Sequence, residues 1–200
     1  MSFFFTTLNL GYFFDVFQGV PMLKEHQQFH KDFKNYKALT VKSVDFYNGA
    51  VISENLVDYY TAQENQNEKY FLKTGDYVIN SKGKRQGVLI SEQIISPNIL
   101  ISQHFIILRI KPELQDKAAF FYCLLDLSVA DIPYASSKTQ TMLFTRIKDV
   151  ESHQIDFGKG IEKEYEVFQK EYTQYQEAKK LFNEKENQKN DFCNKEIKIK

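Results

Sequence analysis

The stretch FLKTGDYVINSKGKRQGVLIS, residues 71–91, decides how the first part of the chain folds. Turn signals at Gly75-Asp76 and in the run from Ser81 to Lys84 bracket the short β-rich segment DYVIN. A strand with a turn on each side is typical of antiparallel pairing. We therefore predict a mostly antiparallel sheet region from about residue 37 to residue 110.

Two further signals lie on either side of this stretch. Asn48-Gly49 separates the runs VKSVDF and AVIS, and both residues tolerate the positive φ of a two-residue type I′ turn, so we predict that these runs pair as a hairpin. The apolar run ILISQHFIILRI, residues 99–110, is too continuous for a strand with one face in water. It predicts a central strand.

Helical signals follow the predicted sheet. After Pro112, the segment LQDKAAFFYCLLDL has apolar residues at helical spacing, which predicts a helix packed on the core. The later segment SSKTQTMLFTRIKDV contains a Ser137/Gln140 capping-box spacing, and we expect a short helix there and a last strand near ESHQIDF. The expected fold class is α+β, with a mixed, mostly antiparallel sheet followed by a long C-terminal helix.

The C-terminal helix is predicted to form a coiled coil. Beyond Gly158 and Gly160, large apolar residues recur every seven positions with tyrosines interleaved: Ile161, Tyr165, Phe168, Tyr172, Tyr175 and Phe182. Glu and Lys fill most other positions, so only this seam can bury apolar surface, and it needs a partner helix. We predict a domain over residues 1–158 and a coiled-coil helix with a frayed tail over 159–200. A lone solvated helix is the alternative.

The bulk composition limits the function classes. The chain has 26 basic and 26 acidic residues, so any DNA contact must come from local clustering of charge. Only Cys123 and Cys193 are present, 70 positions apart, so we expect no disulfide framework. The aromatic amino terminus lacks a basic region and is interrupted by Asp15, so we expect a cytoplasmic protein without a membrane span.

Local clusters of polar residues supply candidate DNA contacts. The turn after DYVIN carries Lys82, Lys84, Arg85 and Gln86. Lysines beside glycine can approach phosphates, and arginine and glutamine can reach guanine or adenine edges in the major groove. A merely solvated turn is the alternative. Further candidates are Lys138, Thr139 and Gln140, for which helix capping is an equal alternative, followed by Arg146 and, more weakly, Lys42 on the strand before Asn48-Gly49.

The order of these signals resembles the specificity subunits of type I restriction-modification systems. The resemblance covers most of residues 8–155 and includes LGYFFDVFQGVPM, ALTVKSVDFYNGAVIS and ISQHFIILRI. Its most telling element is FLKTGDYVINSKGKRQG, which is similar to the family's pattern of leucine, spacer, Gly-Asp, apolar strand, Ser and Gly; SSKTQTMLFTRI resembles the family's loop before the final strand. The resemblance implies a target-recognition domain that binds double-stranded DNA.

The family resemblance also implies partners. Family members usually carry two recognition domains and two long helices, which form an antiparallel coil and dock methyltransferase subunits, whereas this chain resembles half of such a subunit. It would form a homodimer, or pair with another specificity half-subunit, and read an interrupted palindrome. Type I methyltransferase subunits would supply the chemistry with S-adenosylmethionine, and this chain would hold no cofactor.

Sequence motifs of catalysis are missing. The chain has no G-x-S-x-G elbow, phosphate loop or dinucleotide fingerprint, and no Asn-Pro-Pro-aromatic motif of an adenine methyltransferase. His26 and His30 have metal-ligand spacing but no convincing third ligand, so we predict no metal site. Two other hypotheses are a non-catalytic interaction module, such as a decoy or masking partner, and a small enzyme that would need His104 or His153 beside carboxylates in a cleft.

Overall fold

The computed structural model describes residues 7–29, 31–61, 68–91, 99–135, 143–157 and 160–197, with side chains in the last range described as far as Phe182. The strands of these residues are β1 Thr7–Asn9, β2 Phe14–Gln18, β3 Lys34–Leu39, β4 Val44–Asp45, β5 Ala50–Val51, β6 Val57–Thr61, β7 Tyr77–Asn80, β8 Gly87–Leu89, β9 Ile99–Ile101, β10 Phe105–Ile110 and β11 Gln154–Asp156. The α-helices are α1 Leu10–Phe13, α2 Ala118–Ser128, α3 Ile147–Glu151 and α4 Ile161–Ile197. Short 3-10 helices cover Lys24–Gln27, Val41–Ser43, Ser53–Asn55, Glu68–Tyr70, Pro112–Lys117 and Val129–Asp131. The α+β class predicted from the sequence is confirmed.

The largest sheet has four strands in the order β2-β10-β7-β8, and each neighbouring pair is antiparallel. Strand β10 lies between β2 and β7, and its residues from Phe105 to Leu108 are fully buried. The segment DYVIN forms β7 as predicted. The prediction of a central strand is therefore confirmed for β10.

The apolar run 99–110 is nevertheless two strands rather than one. Its first part, β9, belongs to a three-stranded sheet in the order β6-β3-β9, where it pairs in parallel with β3. The chain turns between the two strands, with the Phe105 N–H donating to the Ser102 carbonyl. Because both strands are buried, hydrophobicity is continuous across the turn, and the sequence pattern could not reveal the break.

The predicted hairpin is present, but its turn is longer. Val44 pairs with Val51 and Asp45 with Ala50, which leaves a four-residue connection over 46–49. The Asp45 carboxylate accepts the N–H groups of Tyr47 at 2.9 Å and Asn48 at 3.2 Å. Among the described residues no side-chain-bearing residue has positive φ, and only Gly49, at φ 67°, provides it in this turn. The prediction of a two-residue type I′ turn is wrong because the aspartate side chain organises a larger one.

The predicted first strand of that hairpin is also interrupted. Thr40 and Ser43 form a capping box, in which the Thr40 N–H donates to Ser43 Oγ at 2.7 Å and this hydroxyl donates to the Thr40 carbonyl at 2.8 Å. Local bonds of this kind compete with strand pairing. They set up the 3-10 helix Val41–Ser43, so the prediction that Lys42 lies on a strand is wrong.

Helix α2 confirms the predicted core-packed helix. Its Phe121 and Leu125 are buried, and the Phe121 ring stacks on Phe13 of α1 with ring centroids 4.4 Å apart. The 3-10 helix Pro112–Lys117 precedes it, so Pro112 starts this helical segment, where the missing N–H costs nothing. The short helix and last strand expected downstream are α3 and β11, while Ser137 and Gln140 lie outside the described residues.

The buried pair of Asp76 and Arg109 connects the sheet to its preceding turn. Arg109 donates from Nε and Nη2 to the Asp76 carboxylate at 2.6 and 2.7 Å, and also to the carbonyls of Lys69 and Phe71. The Asp76 side chain is 1% exposed. This bidentate geometry satisfies a carboxylate that would otherwise be buried without a partner.

Residues Thr7–Ile155 form one compact unit, and those from Asp156 onward belong to a second. In the second unit, the rings of Phe168 and Tyr172 of α4 stack with centroids 5.2 Å apart, and Gln169 donates to the Tyr165 hydroxyl at 2.9 Å. The helix runs through all six residues of the predicted seam. In the described part of the chain, no helix combines the length and the apolar character needed to cross a membrane.

Candidate nucleic-acid interface

Residues 81–86, here called the basic loop, connect β7 to β8 at one end of the four-stranded sheet. The same end carries Gln18, the last residue of β2, and the turn before β10. The Ser81 N–H donates to the His104 carbonyl at 2.7 Å, and the Gln103 carbonyl accepts from Ser81 Oγ at 3.0 Å and from Gln18 Nε2 at 2.7 Å. The start of the loop is therefore attached to two neighbouring strand ends.

Asn80 determines the path of the basic loop from inside. Its side chain is buried, and Nδ2 donates to the carbonyls of Lys82 at 2.9 Å and Lys84 at 2.6 Å. Its Oδ1 accepts the Gln86 N–H at 2.6 Å. The amide thus satisfies backbone groups that a strand would have paired, and it leaves the side chains of Lys82, Lys84 and Gln86 exposed.

The basic loop is followed by Gly87, the first residue of β8, which packs closely against the Tyr77 ring. A Cβ at this position would lie 2.7 Å from the Tyr77 ring, so a larger residue would displace either the ring or the strand. Tyr77 itself is fully buried and donates its hydroxyl to Asp126 at 2.6 Å. Burial, together with this carboxylate, raises the pKa of the Tyr77 hydroxyl far above its ordinary value. The entrance and the exit of the loop are both set by buried polar side chains.

Arg85 differs from its neighbours because its side chain turns into the protein and is only 9% exposed. Nη1 donates to the carbonyls of Ala130 and Ile132, while Nη2 donates to the Pro133 carbonyl and to Thr145 Oγ1, each at 3.1 Å. The guanidinium also lies 4.0 Å from the centre of the Tyr134 ring. Burial lowers the pKa of this group, against the opposing effect of Tyr134 and Asp149.

These contacts correct the sequence-based placement of Arg85 at a base edge. The guanidinium already donates to three carbonyls and one hydroxyl of the same chain, so reaching DNA would leave those buried acceptors unsatisfied. We therefore withdraw Arg85 from the candidate DNA contacts. Sequence could not separate it from Lys84, since all its partners lie 45 or more residues away.

The second polar stretch begins and ends beside the basic loop. Ala135 and Phe144 pair through both backbone groups, at 2.8 and 3.3 Å. The Gly83 N–H donates to the Leu143 carbonyl at 3.0 Å, and the Thr145 N–H donates to the Ser81 carbonyl at 2.9 Å. The candidates Lys138, Thr139 and Gln140 lie between these ends and outside the described residues. The fold therefore brings both ends of the second segment to the first.

Arg146 follows directly and is exposed. Its guanidinium makes a bidentate pair with Asp149, at 2.7 Å from Nε and 2.9 Å from Nη2, one turn further along α3. The hydrogen bond from Arg146 lowers the pKa of Asp149, and the carboxylate raises that of Arg146. The Arg146 side chain is 61% exposed and that of Asp149 is 15% exposed, so solvent screens the Arg146 charge and the guanidinium stays accessible to a phosphate.

Lys42 is placed with a different element. Its carbonyl accepts from Asn55 Nδ2 at 2.9 Å, and its 3-10 helix packs near Ser53–Asn55, beside the β4-β5 hairpin. The ammonium group is exposed but stands on another connection from the basic loop. The structure thus groups Lys82, Lys84, Gln86 and Arg146 near the ends of the second polar stretch and leaves Lys42 apart.

Several neighbours of the basic loop were missed by the sequence analysis. The Arg85 guanidinium stacks on the Tyr134 ring, and the Tyr134 hydroxyl accepts the Arg85 N–H at 2.6 Å. Leu143 is exposed beside Gly83. Pro133 beside Tyr134 signalled the turn, but neither residue has a pattern that indicates a binding role. Gln18 and Gln103 were also missed, because only the strand pairing of β2 with β10 brings them together.

The histidines considered for other chemistry have individual surroundings. Burial, aided by Lys82, lowers the pKa of His104, and burial lowers that of His153 despite Asp131. His26 packs against the Tyr59 ring at 4.7 Å, and His30 lies outside the described residues. Within the ranges that the structure describes, no three His, Cys, Asp or Glu side chains cluster as a metal site would require.

Comparison with known proteins finds that this chain is similar to solved structures. No protein-family model and no curated protein matches the chain. A type I restriction-modification system S subunit from M. genitalium is similar over 81% of this chain and 36% of its own, with 15% identity and a TM-score of 0.46. A structure described under complex assembly and conformational transition of the type I R-M system is similar over 88% of this chain and 43% of its own, with 11% identity and a TM-score of 0.47. The chain spans less than half the length of both.

Proposed function

We propose that this chain is a non-catalytic DNA-specificity subunit of a type I restriction-modification system. The observation that carries the proposal is the position of the basic loop, whose backbone bonds to Leu143 and Thr145 after the segment 136–142 and to the Tyr134 hydroxyl before it. We propose that these two polar segments, which are about 50 residues apart in sequence, contribute to one DNA-contacting surface. The order of sequence motifs that resembles this family is an independent support.

The exposed side chains of this surface have the chemistry that DNA reading requires. Lys82 and Lys84 carry ammonium groups that suit phosphates, and the Gln86 amide suits the N6 and N7 groups of adenine. The Gln86 backbone is fixed by Asn80, so only its side chain remains free to adapt. Lys138, Thr139, Gln140 and Arg146 complete the proposed contact set. Their local positive charge provides the phosphate attraction that the neutral chain as a whole lacks.

Helix α4 is proposed to pair with the same helix of a second copy. Its seam residues Tyr172, Tyr175 and Phe182 are 41%, 58% and 62% exposed within the single chain. A two-fold dimer would use this one surface on both partners and remove its aromatic area from water. Two identical recognition domains would then read a bipartite, inverted-repeat site, and the helix pair would set its spacing. Pairing with another specificity half-subunit is the other arrangement of the same seam.

Methyl transfer and cleavage are assigned to partner subunits. Type I methyltransferase subunits would bind S-adenosylmethionine and act on an adenine taken out of the duplex, at sites that this chain selects. The chain is proposed to direct these subunits and the restriction subunit rather than to catalyse a step itself.

A protein-interaction module without DNA binding is the second candidate. It is favoured by the net charge of zero at pH 7 and by the use of Arg85 inside the fold. In that case, the aromatic seam would dock a partner helix, and the recognition fold would serve as a decoy or mask.

Salt dependence of DNA binding separates the two candidates. Duplexes would first be selected from a randomised pool with the purified full chain and a type I methyltransferase subunit from the same genome. The dissociation constants of a selected and a scrambled duplex would then be measured across salt concentrations. We expect selective binding that weakens steeply with salt, and in the variant Lys82→Gln with Lys84→Gln a slope smaller by about two, one for each lost phosphate contact.

The matched control replaces two exposed lysines elsewhere. Lys24 and Lys31 flank the segment that packs on the three-stranded sheet, where the Phe29 ring contacts Tyr60. Lys24→Gln with Lys31→Gln changes the net charge equally and should leave the slope unchanged. Equal slopes in both double variants would remove the basic loop from the interface. Binding without selectivity or salt dependence would favour the interaction module.

A further inference from the structure

We infer that Arg85 is a positioning residue that holds the basic loop in one arrangement relative to residues 130–135 and 143–145, and that sequence discrimination depends on it although it does not touch DNA. The inference rests on the proposed function and deepens it. It follows from where the Arg85 hydrogen bonds go, since each of them joins the basic loop to a segment that flanks residues 136–142.

Arg85 connects the basic loop to the chain on both sides of the second polar stretch. On one side, its guanidinium binds the carbonyls of Ala130, Ile132 and Pro133, and its backbone N–H binds the Tyr134 hydroxyl. On the other side, it binds Thr145 Oγ1. One residue therefore bonds to the chain on both sides of residues 136–142, in addition to the backbone bonds that Ser81 and Gly83 make to residues 143–145.

The binding site for this side chain is built for a guanidinium. The carbonyls come from the region where α2 and the 3-10 helix Val129–Asp131 end, and terminal carbonyls of a helix lack intrahelical donors and attract cations. Four N–H groups on Nη1 and Nη2 find four acceptors, the buried Nε has no hydrogen-bond partner in the described part of the chain, and the plane stacks on Tyr134. A lysine ammonium has three donors and no plane, so it cannot reproduce this set.

Asn80 and Arg85 order different parts of the surface. Asn80 bonds only to the backbone of the loop and its ends, so it determines the shape of the loop itself. Arg85 determines where that shape stands relative to residues 130–135 and 143–145. Base recognition depends on donors and acceptors placed to within fractions of an ångström, whereas phosphate attraction tolerates displacement. Loss of Arg85 should therefore lower specific binding much more than non-specific binding.

The test compares Arg85→Lys with Arg109→Lys in the full chain. Arg109 is also a partly buried arginine with a carboxylate and two carbonyl partners, but these lie at Asp76, Lys69 and Phe71, away from the basic loop. The ratio of dissociation constants for the scrambled and selected duplexes measures discrimination. We expect Arg85→Lys to lower this ratio by about tenfold, comparable to one good base contact, and to change scrambled-duplex binding by less than about twofold.

Backbone hydrogen exchange provides a readout that does not need DNA. The N–H groups of Gly83, Arg85 and Thr145 bond across the junction of the two segments. Their exchange should accelerate in Arg85→Lys and stay unchanged in Arg109→Lys. If Arg85→Lys does not fold, Thr145→Val decides, because it keeps the side-chain shape, is buried away from DNA and removes one Arg85 bond.

The outcomes distinguish the inference from the function on which it rests. A wild-type chain that binds selected and scrambled duplexes equally would overturn the proposed function, and with it the role of Arg85 in discrimination. A wild-type chain that discriminates, with undiminished discrimination in Arg85→Lys, or in Thr145→Val where the lysine variant is unfolded, would overturn the inference alone. An equal loss of discrimination in Arg109→Lys would also overturn it, because general destabilisation would then explain the effect.

Discussion

The unit Thr7–Ile155 and helix α4 use aromatic residues in opposite ways. In the first unit, Phe13, Phe105 and Phe121 are almost completely buried, whereas Tyr175 and Phe182 of α4 remain more than half exposed. Burial of a large side chain contributes about 1.5–3 kcal/mol to the free energy of folding, so these buried rings stabilise the first unit within a single chain. The exposed rings of Tyr175 and Phe182 gain little of this stabilisation within the described chain.

Polar side chains show the same contrast. In the first unit, Asn80, Arg85 and Arg109 bond to backbone carbonyls distant in sequence, which connects separate segments. In α4, Gln169 donates to the Tyr165 hydroxyl and Thr173 donates to the Gln169 carbonyl, each four residues back along the helix. These contacts of the first unit join segments that are distant in sequence, whereas these contacts of α4 are local.

The largest expected effect is on the core of the first unit. Phe105→Ala removes a fully buried ring from the central strand and should lower the free energy of unfolding by about 3–5 kcal/mol. The matched change Tyr175→Ala, measured under monomeric conditions, should stay within about 0.5 kcal/mol. Urea unfolding followed by far-UV circular dichroism measures both. Similar losses in the two variants would show that α4 is packed within its own chain.

The second prediction concerns assembly. We expect the solution mass to be that of a dimer of 23.6 kDa chains, and Phe168→Glu with Tyr172→Glu to reduce it to a monomer by placing charges in the seam. Val167→Glu with Leu181→Glu alters two exposed apolar residues on the outer positions of the same helix and should leave the dimer intact. A wild-type monomer would contradict self-pairing, and dissociation by both double variants would contradict the proposed seam.

The smallest expected effect is the pH dependence of the Arg146–Asp149 pair. Because the hydrogen bond from Arg146 lowers the pKa of Asp149 in the folded protein, its stabilisation is present above the unfolded value of about 3.9 and is lost as the pH falls through the lower folded value. Arg146→Gln should lower the stability slightly at pH 7, and the difference from the wild type should shrink in acid. Denaturation midpoints at several pH values measure it. A pH-independent difference would contradict the assignment.

Sequence reasoning identified the elements that carry a local signal. The alternation and turns around β7, the helical spacing of α2 and the composition change before α4 each lie within a short window, and all three elements are present. It failed where two states share one local pattern. Residues 99–110 are equally apolar whether they form one strand or two, and Asn48-Gly49 occurs in turns of more than one length.

The candidate site was predictable only as a list of polar segments. The lysines of the basic loop were identified from their clustering, and their exposure agrees with that reading. Arg85 stands in the same cluster, yet its side chain is buried. No local feature distinguishes it, because the carbonyls that bind it belong to the end of another helical segment.

The sequence by itself determined the fold class, the strand β7, the helices α2 and α4, and the heptad spacing of aromatic residues in α4, because periodicity, turn chemistry and charge clustering act over a few residues. Only the tertiary structure decided which polar side chains face outward. The partners of Arg85 lie between 45 and 60 residues away, and a side chain with donors is bound inside or left exposed according to the acceptors that folding brings to it.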